Sequence, residues 1–159
     1  MSLVVEQIHA PTDDARALIG ELDAELAGPY PPENRHGLSL SRIFQPGVLF
    51  FIARLAGQAV GCGGVAFEDG FAEVKRMYVR PQARGRGVAR ALLARLEEEA
   101  RTRGVKRLTL ETGDAQLAAL RLYERAGFVR CAAFGAYTAM EPRAVEHSLF
   151  LEKELAPPR

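Results

Sequence analysis

The sequence contains no tryptophan, two cysteines and three histidines among its 159 residues. Cys62 and Cys131 are far apart and neither belongs to a CxxC pair, and the histidines are equally scattered. These spacings exclude the common metal sites and a disulfide scaffold, and they are typical of a reduced, cytoplasmic protein. We expect both cysteines to be packing residues in apolar strands and not nucleophiles.

Long apolar runs are also missing. No run approaches the roughly 20 residues that span a bilayer, and the first residues lack the basic and apolar segments of a secretion signal. The charges are balanced, with 21 Lys and Arg against 20 Asp and Glu, which argues against a polyanion binder but leaves a local basic patch open. The length predicts a single domain over residues 1–159. The missing signal segment and apolar runs predict a location in the cytoplasm and outside any membrane.

Hydrophobic periodicity and turn residues predict the secondary structure. The predicted strands are 3–8, 48–55, 59–68, 71–79, 106–112, 128–133 and 147–155. The predicted helices are 13–27, 38–44, 88–103 and 115–126, with Thr12 or Asp13 capping the first and Asp114 the last. Gly63 and Gly64 indicate a bulge or a close backbone approach in the third strand. This order predicts an α/β (α+β) fold, with a mixed, mostly antiparallel sheet of about six or seven strands flanked by about four helices.

The segment VRPQARGRGVARALLARL carries two glycines, Gly85 and Gly87, immediately before the clearest helical pattern of the chain. The first amides of a helix are unpaired and positively polarised, so they can bind phosphate oxygens, and glycine lets an anion approach the backbone closely. Residues 75–107 also hold 11 Lys and Arg but only three Glu. The segment therefore predicts a site for a polyphosphate anion.

Two common phosphate-binding motifs do not fit this segment. A P-loop requires Gly-Lys followed by Ser or Thr, whereas Gly87 is followed by Val88 and Ala89. A dinucleotide fingerprint requires a third glycine where this chain has Arg90, and it belongs to a βαβ unit. A glycine pair alone is also typical of an ordinary tight turn before a helix.

Two spaced motifs resemble the GNAT superfamily of N-acetyltransferases. The family's acetyl-CoA motif is Gln or Arg, two residues, Gly, one residue and then Gly or Ala, which Arg84, Gly87 and Ala89 match. Downstream, ALRLYERAGF resembles the family's helix that carries a tyrosine just before a Gly-Phe stop. The resemblance is specific over about 71–129. It implies a GNAT-like single domain and acetyl-CoA as the co-substrate.

The resemblance also implies which residues bind acetyl-CoA. Amides at the start of the helix would hold the pyrophosphate, and the end of the preceding strand would pair with the pantetheine arm. Gln116 stands where many members of the family have an asparagine. The cofactor-binding residues implied in this way are Met77, Tyr78, Val79, Arg84, Gly85, Arg86, Gly87, Val88, Ala89 and Gln116.

For catalysis, the resemblance implies two residues. Tyr123 matches the family tyrosine near the sulfur, which can protonate the departing thiolate, although it would also pack against Phe128. Glu73 corresponds to the glutamate that some members use to deprotonate the amine, and Glu111 is the second candidate for that base. We expect direct transfer to the amine of a small molecule or peptide, without an acyl-enzyme.

In this family, loops over the cleft select the acceptor. Here they are residues 29–37 and the segment around Tyr137, so Tyr30, Glu33, His36 and Tyr137 are candidate acceptor-binding residues. Glu111, at the end of the neighbouring strand, is a further candidate. Turn-rich loops carry such polar residues by default. Arg35 and Arg76 would suit an acceptor that has a carboxylate.

Other functions stay open at this stage. The chain could be a non-catalytic acyl-CoA-binding or regulatory module of the same fold. Nucleic acid is a third and weaker interpretation of the basic segment, because aromatic stacking residues are lacking around it. A sheet edge could also support a homodimer.

Overall fold

The computed structural model describes residues 2–158, which fold around one seven-stranded sheet. In chain order the elements are β1 (Leu3–Ile8), α1 (Asp13–Ala27), α2 (Leu40–Ile43), β2 (Val48–Leu55), β3 (Gln58–Glu68), β4 (Phe71–Val79), α3 (Val88–Thr102), β5 (Arg107–Gly113), α4 (Leu117–Arg125), β6 (Val129–Arg130) and β7 (Ser148–Glu154). The strand order in the sheet is β1-β2-β3-β4-β5-β7-β6, and only β4 and β5 are parallel. The predicted fold class is therefore confirmed.

Helices cover both faces of this sheet, because side chains along each strand alternate between its two sides. In β2, Phe51 and Ala53 belong to the core beneath α3 and α4, whereas Phe50 and Ile52 belong to the core beneath α1 and α2. Thr12 caps α1 as predicted, since its Oγ1 accepts the amide of Ala15 at 3.2 Å. Among residues 2–158, no helix combines the length and apolar character needed to cross a membrane.

A bulge interrupts the pairing of β3 with β4. Between the pairs Cys62–Tyr78 and Gly64–Lys75, β3 contributes one residue and β4 contributes two. The extra residue thus lies in β4, opposite Gly63. The sequence analysis had instead considered a bulge in β3 itself. It places Arg76 at a φ of 57°, a left-handed conformation that costs free energy for any residue except glycine.

Just before this bulge, after Val74, β4 and β5 separate. Their parallel register covers only Ala72–Leu108, Glu73–Thr109 and Val74–Leu110. The ends of the two strands, Lys75 to Val79 and Glu111 to Gly113, then diverge and leave a cleft within the sheet. The fold thereby opens the sheet at the position where the sequence places the glycine-rich turn and the two glutamates.

Two local predictions were wrong. Asp114 does not cap α4; its carboxylate instead lies 2.9 Å from Nδ1 of His147, and the helix starts after Gln116. The predicted strand 128–133 is paired only at Val129–Arg130, after which the chain leaves the sheet so that Phe134 can pack among other aromatic rings. Cys131 is therefore half-buried outside a strand, whereas Cys62 is fully buried as predicted.

Candidate active site

The cleft between β4 and β5 contains two neighbouring cavities that share part of their lining. The wide cavity, of about 660 Å³, lies next to the N-terminus of α3, and the narrow cavity, of about 120 Å³, lies next to the bulge of β4. The residues that line both cavities are Leu22, Met77, Gln116, Ala119 and Tyr123. Because these residues are shared, a long ligand in the wide cavity can present one end to a small molecule in the narrow cavity.

The wide cavity brings together nearly all the residues predicted to bind the cofactor. The nine that line it are Met77, Tyr78, Val79, Arg84, Gly85, Gly87, Val88, Ala89 and Gln116. Arg86 is exposed and does not line it. Two further arginines that the sequence analysis did not single out, Arg90 and Arg125, line the same cavity and are exposed to solvent.

Gly87 directly precedes α3 with a φ of 81°, and a Cβ at this position would point into open space. The conformation, and not crowding, therefore favours glycine here. The first amides of α3 have no partners within the helix, so they form a positively polarised cradle at the cavity wall. This geometry fits phosphate oxygens.

Acidic residues of α1 neutralise part of the basic segment. Arg80 pairs with Glu21 at 2.8 Å, and Arg84 pairs with Glu25 at 2.8 Å. Arg84 also donates from Nε to the carbonyl oxygen of Val79 at 2.9 Å. These arginines join α1 to the end of β4, which argues against a continuous nucleic-acid-binding surface.

Tyr123 stands at the junction of the two cavities. Its ring packs against Phe128 with centroids 5.9 Å apart, and the amide of Phe128 donates to the Tyr123 carbonyl at 3.0 Å. The predicted Gly-Phe stop is thus present. Burial, followed by the charge of Glu111, raises the pKa of the Tyr123 phenol. The hydroxyl therefore stays protonated at neutral pH and can donate a hydrogen bond.

Two carboxylates line the narrow cavity, and their partners differ. Oε2 of Glu73 accepts the hydroxyl of Tyr137 at 2.7 Å and the ammonium of Lys75 at 3.3 Å. Oε2 of Glu111 accepts only the hydroxyl of Ser148, at 2.6 Å. Burial is the main cause of a raised pKa at Glu111. Glu73 therefore already binds the Lys75 ammonium and the Tyr137 hydroxyl. Glu111 has no ion-pair partner among residues 2–158.

The predicted acceptor-binding residues take two different positions. Tyr30, His36 and Glu111 line the narrow cavity, whereas Tyr137 lies behind it and supports Glu73. The Tyr30 hydroxyl accepts the amide of Ala115 at 2.8 Å, and Nε2 of His36 lies 2.7 Å from the carbonyl oxygen of Ala144. Tyr137 is buried because the loop turns its ring into the aromatic core, and its role in binding the acceptor stays a prediction.

Five polar residues of this cavity were not among the predicted site residues, and two of them are Arg76 and Thr112. Lys75 and Asn34 line it, and so does Arg35, which the sequence analysis had related only to a carboxylate-bearing acceptor. No local signal marks Asn34 or Lys75, since their roles depend on distant parts of the chain. Within residues 2–158, no three His, Cys, Asp or Glu side chains are grouped as they would be around a metal ion.

Comparisons with known proteins agree with this geometry. The model of the Acetyltransferase (GNAT) family matches residues 16–128. The chain is 44% identical over 150 residues to an IAA acetyltransferase from Azospirillum brasilense, covering 92% of this chain and 95% of that protein.

Solved structures show the same fold. A Klebsiella pneumoniae protein assigned as an acyl-CoA N-acyltransferase is 37% identical, with a TM-score of 0.74 over 97% of this chain and 98% of its own. N-acetylglutamate synthase from Neisseria gonorrhoeae, in complex with coenzyme A and N-acetyl-glutamate, has a TM-score of 0.75 over 98% of this chain and 36% of its own. At 19% identity it shows the fold alone. The chain therefore belongs to the GNAT acetyltransferases, enzymes that use acetyl-CoA as their co-substrate.

Proposed function

We propose that this acetyltransferase moves the acetyl group from acetyl-CoA directly to a primary amine of a small molecule or peptide. The observation that carries the proposal is the arrangement along the cleft: an amide cradle at one end, Tyr123 in the middle and two carboxylates at the other end. A single domain over residues 1–159 would hold this whole site. The name of the Azospirillum relative supports acetyl transfer as the reaction.

The cofactor would lie along the wide cavity. Amides at the start of α3 would hold the pyrophosphate, because they are free and positively polarised. Main-chain groups of Met77 and Val79 would pair with the pantetheine arm as an added strand, since β4 has no strand beside it on the β5 side beyond Val74. The thioester would then reach Tyr123 at the junction with the narrow cavity.

The base that deprotonates the amine is assigned from the contacts of the two carboxylates. The sequence analysis favoured Glu73, but Oε2 of this carboxylate already accepts the Lys75 ammonium and the Tyr137 hydroxyl. Glu111 has no ion-pair partner among residues 2–158, and burial raises its pKa, which favours its uptake of a proton from the acceptor. Glu73 would instead hold Tyr137 and Lys75 in place.

The reaction then balances without an enzyme-bound acyl group. The ammonium of the acceptor gives a proton to Glu111, and the neutral nitrogen attacks the thioester carbon and forms the C–N bond. The C–S bond breaks, and the departing thiolate takes the proton of the Tyr123 hydroxyl. The acylated nitrogen still carries two hydrogens, and it gives one of them as a proton to the Tyr123 oxygen, so the amide leaves neutral and the tyrosine is restored. Glu111 then releases its proton to solvent. Cys62 takes no part, because burial raises the pKa of its thiol to about 12.

The experiment is to measure acetyl-CoA binding by calorimetry and free-thiol release with a panel of primary amines. We expect Tyr123→Phe and Glu111→Gln each to lower kcat by about 100-fold or more while acetyl-CoA affinity is retained. Glu73→Gln should have a smaller effect on kcat. Equal losses for both glutamate variants would contradict the choice of Glu111.

The same measurements test the non-catalytic alternative. Wild-type protein that binds acetyl-CoA but releases no thiol with any amine would be an acyl-CoA-binding module. Protein that is folded and does not bind acetyl-CoA would contradict the position of the phosphate cradle.

A further inference from the structure

The cations around the narrow cavity differ in whether they are already paired. Lys75 contacts the carboxylate of Glu73, and the Arg76 guanidinium pairs with Asp23. Arg35 lines the same cavity but has no carboxylate within 4.0 Å anywhere in residues 2–158. Its Nε is buried and has no hydrogen-bond acceptor. A buried donor without a partner is costly, so this guanidinium is suited to an anion that enters the cavity.

The backbone on both sides of Arg35 is fixed by long-range contacts. Nδ2 of Asn34 donates to the carbonyl oxygens of Arg143 and Ala144 at 2.8 and 3.2 Å. On the other side, Lys75 donates to the carbonyl oxygen of His36 at 3.2 Å. The loop that carries Arg35 is therefore attached to two other parts of the chain, so little ordering is required when a ligand arrives.

The unpaired charges of the cavity have opposite signs. Arg35 is the cation without an acidic partner, and Glu111 is the carboxylate without a basic partner. Because charged groups inside a protein are stabilised by partners of opposite charge, a molecule with one ammonium and one carboxylate complements both. This pattern is that of an amino acid or a similar zwitterion.

We propose that the acceptor carries a carboxylate in addition to its amine, and that Arg35 binds this carboxylate as a specificity residue. This inference rests on the proposed function and names the class of its substrate. A guanidinium can hold a carboxylate through two parallel hydrogen bonds, which fixes the orientation of the acceptor as well as its position. The amine is then directed towards Glu111 and the thioester.

The test compares free-thiol release from acetyl-CoA with the L-amino acids and with the corresponding L-amino acid amides. Each amide keeps the amine and the side chain but lacks the carboxylate. We expect the best acid to have a kcat/KM at least about tenfold above that of its amide, because the amide loses a charge-assisted hydrogen bond.

Three variants assign that preference to a residue. Arg35→Gln should raise KM for the acid about 10- to 100-fold, with kcat little changed and the amide unaffected. Arg35→Lys should restore part of the loss, because it keeps the positive charge. Arg42→Gln is the matched control, since Arg42 is an exposed arginine of α2 outside both cavities.

The outcomes separate this inference from the proposed function. Amides that react as well as acids would overturn the inference and leave the amine acetyltransferase intact. A preference for acids that survives in Arg35→Gln would overturn the role of Arg35. If none of the amines is acetylated, neither the amino acids nor their amides, both the proposed function and this inference are overturned. Thermal unfolding of each variant shows whether a loss of activity reflects a loss of folded protein.

Discussion

Tyr137 donates its hydroxyl hydrogen to Glu73 over 2.7 Å, although the two residues are 64 positions apart in the chain. Glu73 lies in β4, and Tyr137 lies in a 3₁₀ turn, Gly135–Ala139. The Tyr137 ring also packs against Phe150 of β7, with centroids 5.2 Å apart. This hydrogen bond therefore connects the loop before β7 to the back wall of the narrow cavity.

Removing that hydroxyl tests how much the bond contributes. We expect Tyr137→Phe to lower the free energy of unfolding by about 2 kcal/mol, because a hydrogen bond to a charged group is lost while the ring packing stays. Urea unfolding of the wild type, Tyr137→Phe, Glu73→Gln and the double variant gives the coupling between the two residues. Additive losses would mean that the two side chains do not interact in solution.

The buried carboxyl group of Glu111 makes stability depend on pH. Its pKa is raised in the folded state, so folded protein keeps a proton there that the unfolded chain, with a pKa of about 4.3, has already released. The free energy of unfolding should therefore decrease as pH rises from about 4.3 through the folded pKa. Urea unfolding across this range should show a smaller decrease for Glu111→Gln, which cannot titrate. Parallel curves for the two proteins would contradict the raised pKa.

The cradle at the start of α3 can be tested with two matched glycine variants. Gly87 and Gly57 have φ values of 81° and 82°, and neither has atoms near the position of a Cβ. Changing either residue to Glu should cost a similar free energy of unfolding, about 1–2 kcal/mol. Only Gly87→Glu places a carboxylate beside the cradle, so only this variant should weaken acetyl-CoA binding, by at least about tenfold in calorimetry. Equal affinities would place the pyrophosphate elsewhere.

Gly113, at the end of β5, provides the space for Tyr30. A Cβ at this position would overlap the hydroxyl and ring of Tyr30, whose oxygen accepts the amide of Ala115. We expect Gly113→Ala to lower the free energy of unfolding by about 2–3 kcal/mol, because a rigid ring must move. In a Tyr30→Leu background the same change should cost less than about 1 kcal/mol. A cost in urea unfolding that does not depend on residue 30 would contradict this contact.

The elements and the cofactor side of the cleft could be predicted because their signals are local. Apolar periodicity gave the strands and helices, and the spacing of Arg84, Gly87 and Ala89 indicated the family that the comparisons confirm. The end of β6 could not be predicted in this way. There the chain leaves the sheet because Phe134 packs against Phe71 and Phe150, which come from other parts of the sequence.

The acceptor side depends on pairs that no local pattern contains. Arg35 and Arg76 look equivalent in the sequence as partners for a carboxylate. In the folded chain Asp23 of α1 pairs with Arg76, and Arg35 is left without an acidic partner among residues 2–158. The two glutamates are distinguished in the same manner, because Lys75 and Tyr137 contact only Glu73.

The early separation of β4 from β5 also bears on strand pairing between molecules. Strand edges with free backbone groups at the border of a sheet can recruit strands of other molecules. Here the free edge, beyond Val74, lies inside the sheet, between α1 on one face and α4 on the other. A single extended chain as thin as pantetheine fits such an opening, whereas a strand that is still attached to a neighbouring sheet does not. The cleft thus offers backbone hydrogen bonds to a ligand without offering them to another copy of the protein.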